Sequence, residues 1–127
     1  MKTPLILITL CLGMLSLSSC ETTKEAKQHI EGFLNYVVNQ DFKEASVYVS
    51  SQSSHGQDVV ANCKLMYENT DYGKLLSFEK GFGTSTNISN SVSTVNLNYN
   101  LIYEKGEVTY NFVVVDRGAG FKIEAIQ

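Results

Sequence analysis

The chain offers few side chains suited to covalent or acid–base chemistry, and their spacing narrows what they do. A thiol nucleophile acts as the thiolate and needs a base or a positive neighbour beside it. The chain has three cysteines and two histidines, and for Cys63 the only histidine close in sequence is His55. Cys63, however, shares a helical face with Val59, Val60 and Tyr67 at spacings of three and four, the position of a buried core thiol. So few histidines and cysteines fit none of the usual zinc spacings, and neither a metal nor another cofactor is expected. His29 falls at the edge of an apolar helical stripe and His55 in a serine-rich loop, where both read as surface residues. Cys20 remains, at the point in "LSLSSCETT" where the chain turns from apolar to charged.

Upstream of Cys20, Met1-Lys2 supplies a positive start and Leu5 to Leu17 an apolar run. A helix of about 14 residues rises roughly 21 Å, short of a hydrocarbon core of about 30 Å, so residues 1–19 read as a cleaved signal segment. The stretch Leu17-Ser18-Ser19-Cys20 resembles the lipobox of bacterial lipoproteins, in which a leucine and two small residues precede the acylated cysteine. The resemblance implies that Cys20 becomes the first mature residue and carries the lipid that joins the protein to the membrane. Two or three acyl chains hold firmly, each buried methylene contributing about 0.8 kcal/mol. Glu21 follows where Asp would signal retention, so the same resemblance implies an outer-membrane lipoprotein facing the periplasm. Residues 20–23 are then the lipidated cysteine and a short tether, and residues 24–127 a single domain.

Loss of residues 1–19 removes one lysine and leaves nine basic against thirteen acidic side chains, a net charge of minus four. These charges are scattered, with no basic run. Nucleic-acid binding needs a positive field that this chain does not supply, and that class is set aside.

Thr22-x-x-Glu25 has the form of a capping box, and Ala26, Ile30, Phe33, Leu34, Val37 and Val38 follow at helical spacing, which predicts a first helix from Lys24 to Asn39. Gly32 interrupts it at a cost of roughly 1 kcal/mol relative to alanine, which calls for a close crossing by another element. Asp41-x-x-Glu44 opens a short second helix with Phe42, Ala45, Tyr48 and Val49, and Asp58 caps a third that runs to Asn69. Beyond Lys74 the period falls to 2, and four strands are expected over 75–85, 92–103, 107–116 and 121–126. A two-residue loop at Lys105-Gly106 would set Tyr103 opposite Val108, Leu101 opposite Tyr110, Tyr99 opposite Phe112 and Leu97 opposite Val114. A four-residue loop over 117–120 would set Ile123 opposite Val114 and Ala125 opposite Phe112. All these residues share one face, the core face.

Three helices followed by an antiparallel meander, with "NQDFKEASVYVS" as a short second helix and "YNFVVVDRGAGFKIEAIQ" as the last two strands, resemble the NTF2-like (cystatin-like cone) superfamily. The resemblance covers residues 24–127 and implies an α+β fold, three N-terminal helices packed on a curved four-stranded sheet. Isomerases and dehydratases of that superfamily hold a carboxylate or histidine inside the cone. Here the inward strand positions carry neither, and Lys80 reaches only the rim. An enzyme would need Asp41, His55 or Asp71 to turn inward. The inward tyrosines are expected chiefly as core residues whose hydroxyls find a partner near the rim, and the sharper expectation is a pocket for a mostly apolar ligand bordered by Tyr36, Tyr67, Tyr99, Tyr103, Tyr110 and Phe112. On the opposite face Ile102, Val113, Val115 and Ile126 stand among polar residues and are candidates for a partner or dimer surface. The leading expectation is a non-enzymatic accessory, anchored through Cys20, that binds an envelope protein or a second copy of itself.

Overall fold

The computed structural model of the chain describes residues 3–50 and 58–127, and the side chains of residues 20–50 and 58–127. In chain order the elements are α1 (Thr3–Val38), α2 (Phe42–Ser46), α3 (Val59–Tyr67), β1 (Glu68–Asn69), β2 (Gly73–Ser89), β3 (Val92–Tyr103), β4 (Gly106–Asp116) and β5 (Phe121–Ile126). The fold is α+β. Each strand pairs antiparallel with the next in the order β1-β2-β3-β4-β5, so the four expected strands are joined by one two-residue strand.

Helix α1 buries Ala26, Ile30, Phe33, Leu34 and Val37, all at most 1% exposed, along one face. Their spacings of three and four place them on a single stripe, and each large side chain so removed from water contributes roughly 1.5–3 kcal/mol. Thr22 and Glu25, expected to start this helix, lie inside it. At its other end Gln40 takes a left-handed conformation (φ +62°). Its N–H bonds the Val37 carbonyl at 3.0 Å and the Asp41 N–H reaches the Tyr36 carbonyl at 2.8 Å, the paired closure of a helix C-terminus that glycine usually makes. The close crossing at Gly32 is made by the ring of Tyr48, which a β-carbon there would meet at 3.0 Å. Asp58 caps α3 as its position suggested, accepting from the N–H groups of Val60 and Ala61. Asp41 makes no such side-chain bond to α2.

On the sheet's core face Val95, Leu97, Tyr99, Leu101 and Tyr103 alternate inward from β3 and meet Phe112, Val114 and Ile123. The rings of Phe33, Tyr99 and Phe78 stack edge to face around Phe112 and one another, with centroids 5.8 to 6.3 Å apart. The β3–β4 register differs from the expected one by two residues: Leu101 faces Val108, Tyr99 faces Tyr110, Leu97 faces Phe112, and Tyr103 faces Gly106. Glu104-Lys105 is therefore the hairpin tip. Two contacts from outside the hairpin fix it there, because the Glu104 and Lys105 N–H groups bond the carbonyls of Lys74 and Tyr72, and the Tyr72 ring occupies the space that a side chain at Gly106 would need. An even shift leaves every side chain on its face, so the expected core survives it.

The β4–β5 pairing sets Ile123 opposite Val114 as expected, but a bulge follows, so Ala125 faces Val113 and Ile126 faces Phe112. Strand β2 continues past its expected end to Ser89. Asn90 and Ser91, with φ of +52° and +64°, form a two-residue turn whose positive φ values match the twist of a hairpin. The free edge of β5 is covered by the chain after α2: the Ile123 N–H bonds the Tyr48 carbonyl and the Ser50 N–H bonds the Ile123 carbonyl, a short parallel bridge.

Candidate functional site: a groove between helix α3 and strand β5

The six residues expected around an interior pocket are dispersed by the fold. Tyr99 is fully buried, and its hydroxyl donates to Glu31 Oε2 at 2.9 Å. Burial, then the hydrogen bond and negative charge of Glu31, hold its phenol far above the ordinary range. The Tyr103 hydroxyl donates to the Met66 carbonyl at 2.6 Å. Phe112 is core, Tyr67 stacks on Phe42, and Tyr36 stacks on Tyr48. Of the six, only Tyr110 borders the groove beside α3.

That groove, about 420 Å³, opens between α3 and the β4–β5 pair. Its floor is apolar: Phe33 from α1, Ile123 and Ile126 from the sheet, and Cys63 from α3. Asn62 and Glu124 supply the polar groups at its margin, and Val49 and Val59 border it on either side of residues 51–57, which lie outside the described residues. Helix α3 turns Val59, Cys63 and Met66 inward at spacings of four and three, while Leu65 stands at the rim with 67% of its surface exposed. Burial, with the carboxylate of Asp58 adding to it, pushes the Cys63 thiol up to about 11, so it is protonated and a poor nucleophile at neutral pH. Glu124 is held by Arg117 through two bonds of 2.9 and 3.1 Å.

His29, Asp41 and Asp71 do not border this groove. His29 sits beside Tyr36, Tyr48, Glu44 and Lys122, with Nε2 3.0 Å from the Tyr48 carbonyl. Burial lowers its pKa, its bond to Tyr48 opposes that, and the positive Lys122 lowers it further. Asp41 and Asp71 are exposed, and His55 lies outside the described residues. Lys80 lies partly buried opposite Tyr99 and donates to the Gly81 carbonyl of its own strand at 2.8 Å. No cluster of three or more metal-ligating side chains occurs among the described residues.

On the outer sheet face, Ile102 and Val113 are partly covered, Val115 is 6% exposed, and the bulge in β5 carries Ile126 to the core side. Around them the polar residues bond one another: Thr109 to Asn100, Asn111 to Asn96, and Asn96 to Ser85. Cys20 is exposed. No local pattern announces the groove, because its walls come from segments far apart in the chain. The one local signal is Leu65, an apolar residue off the inward face of α3. No protein-family model matches the chain, and no curated protein matches it either.

Proposed function

We propose that the chain is a bacterial envelope lipoprotein, anchored through an acylated Cys20 at the outer membrane and facing the periplasm. Its domain, a cone of the NTF2-like kind, binds a partner protein and does not catalyse a reaction. The observation that carries this reading is the apolar groove between α3 and β5 with Leu65 exposed on its rim. An apolar side chain of a partner entering there would be desolvated against Phe33, Ile123 and Ile126, with Asn62 and Glu124 forming a polar margin around it. Meanwhile Tyr99 and Tyr103 commit their hydroxyls to Glu31 and Met66 inside the fold.

The test is a photo-crosslinking residue in place of Leu65 in intact cells, with Asn98 on the outer sheet face as the comparison site. A discrete protein adduct at Leu65 and none at Asn98 is the expected result. A membrane-localised protein with no adduct at Leu65 refutes the partner reading. The groove volume also falls in the range of small-ligand sites, which favours a second reading, a small apolar ligand. Native mass spectrometry decides it: a co-purifying small mass, lost on Leu65→Asp, replaces the protein partner with that ligand.

A further inference from the structure

We infer that the tip of the β2–β3 hairpin is a second membrane contact, seated on the bilayer that holds Cys20, and that it fixes the orientation of the domain. This rests on the proposed acylation of Cys20.

Two bonds align the helix with the hairpin. Glu31 of α1 meets Tyr99, which pairs with Lys80 of β2, and eight residues earlier Thr23 Oγ1 lies 3.0 Å from Thr86 Oγ1. Travelling from Glu31 toward Cys20 therefore runs alongside travelling from Lys80 toward Ser89. Cys20 lies about 4.5 Å beyond Thr23 along the helix axis. Ile88 lies roughly 7 Å beyond Thr86 along the strand. The two ends thus lie within about 3 Å of one another in height. Thr86 pairs with Val95 of the core face and Ile88 with Ser93, so Ile88 projects on the side of the sheet where α1 lies. It is 54% exposed there.

The chemistry of the tip suits a lipid surface. No charged residue occurs between Lys80 and Glu104, so the outer halves of both strands and their Asn90-Ser91 turn approach a low-dielectric medium without the desolvation cost of an ion. The charges at this end belong to Glu21, Lys24 and Glu25 of α1 and to the β4–β5 turn. In that turn Asp116 accepts from the N–H groups of Gly118 and Gly120, and Arg117 is bound to Glu124.

The chain contains no tryptophan, so Ile88→Trp introduces a unique reporter. The full precursor is produced in an acylating bacterial host, and the purified lipoprotein is placed in phosphatidylcholine vesicles with brominated acyl chains. Lys105→Trp, at the opposite end of β3 and roughly 35 Å away, is the control. Severalfold quenching and a blue shift for Ile88→Trp, with neither for Lys105→Trp, is expected. Ser89→Trp replaces the first reporter if that variant does not fold. A protein that floats with the vesicles and carries the acyl mass on Cys20, yet shows no quenching at the tip or equal quenching at both ends, overturns the contact and leaves the anchor standing. A protein that neither floats nor carries acyl mass removes the anchor, and the contact falls with it.

Discussion

Gly32→Ala sets two opposed effects against each other at one atom. Alanine in the middle of a helix is favoured over glycine by about 0.8–1.0 kcal/mol. In α1, however, the new β-carbon would stand 3.0 Å from Tyr48 Cε2, 3.1 Å from its hydroxyl and 3.3 Å from Cζ. Carbon atoms pack best at about 3.5–4.0 Å, so the ring must recede by roughly half an ångström or more. It has little freedom to do so. The Tyr48 carbonyl accepts from Ile123 and lies 3.0 Å from His29 Nε2, and its ring is flanked by His29 and Tyr36 at 4.7 and 5.8 Å. Overpacking of this kind costs about 1–3 kcal/mol. Gly32→Ala should therefore be neutral to destabilising by about 2 kcal/mol in the wild-type chain, yet stabilising by about 1 kcal/mol in a Tyr48→Ala background. Urea unfolding of the four variants, followed by far-ultraviolet circular dichroism, gives the coupling directly. If Gly32→Ala stabilises both backgrounds equally, Tyr48 does not press on α1 and the packing argument is wrong.

The remaining predictions concern titration and backbone strain. Tyr99 and Tyr103 are raised chiefly by burial, so their contribution is complete below the ordinary tyrosine value of about 10 and is lost as pH rises beyond it. Tyr99→Phe should flatten that alkaline loss while costing about 1 kcal/mol at neutral pH for the hydrogen bond to Glu31. His29 is shifted down by burial, so its contribution is complete above the ordinary histidine value of about 6.5 and is lost as pH falls. His29→Gln should weaken the acid dependence of the unfolding midpoint, and an unchanged profile would contradict the placement. Gln40→Gly, at a φ of +62°, should stabilise the chain by about 0.5–1 kcal/mol in the same urea assay.

How far the sequence foretold the fold depends on which physical signal each feature leaves. The stripe of α1 and the alternation of β3 are local and periodic, and Ala26 through Val37 and Leu97 through Tyr103 lie where their spacing put them. The β3–β4 register is not local. A slip of two residues leaves every face unchanged, and what chooses Glu104-Lys105 as the tip is the turn around Tyr72, some thirty residues earlier. The bulge that separates Val113 from the regular ladder likewise leaves no periodic mark, and it moves Ile126 away from the outer-face residues with which alternation had grouped it. The interior tyrosines are legible as inward-facing residues whose hydroxyls need partners, but the partners are not: Glu31 and Met66, which accept from Tyr99 and Tyr103, sit on helices 68 and 37 residues away. The groove depends on the angle between α3 and β5, which no single segment encodes.

The bridge from Tyr48 to Ser50 along β5 has a consequence for assembly. A sheet propagates by edge pairing only if each copy offers two unlike free edges, one to receive and one to give. The described residues leave unpaired the stretch of β2 beyond Lys74, while β5 is already joined to the chain after α2. Copies that meet by the described free edge thus join β2 to β2, related by a two-fold axis. That arrangement uses up both edges at once and closes as a pair, so copies joined through the described edges stop at two and do not extend into a fibre.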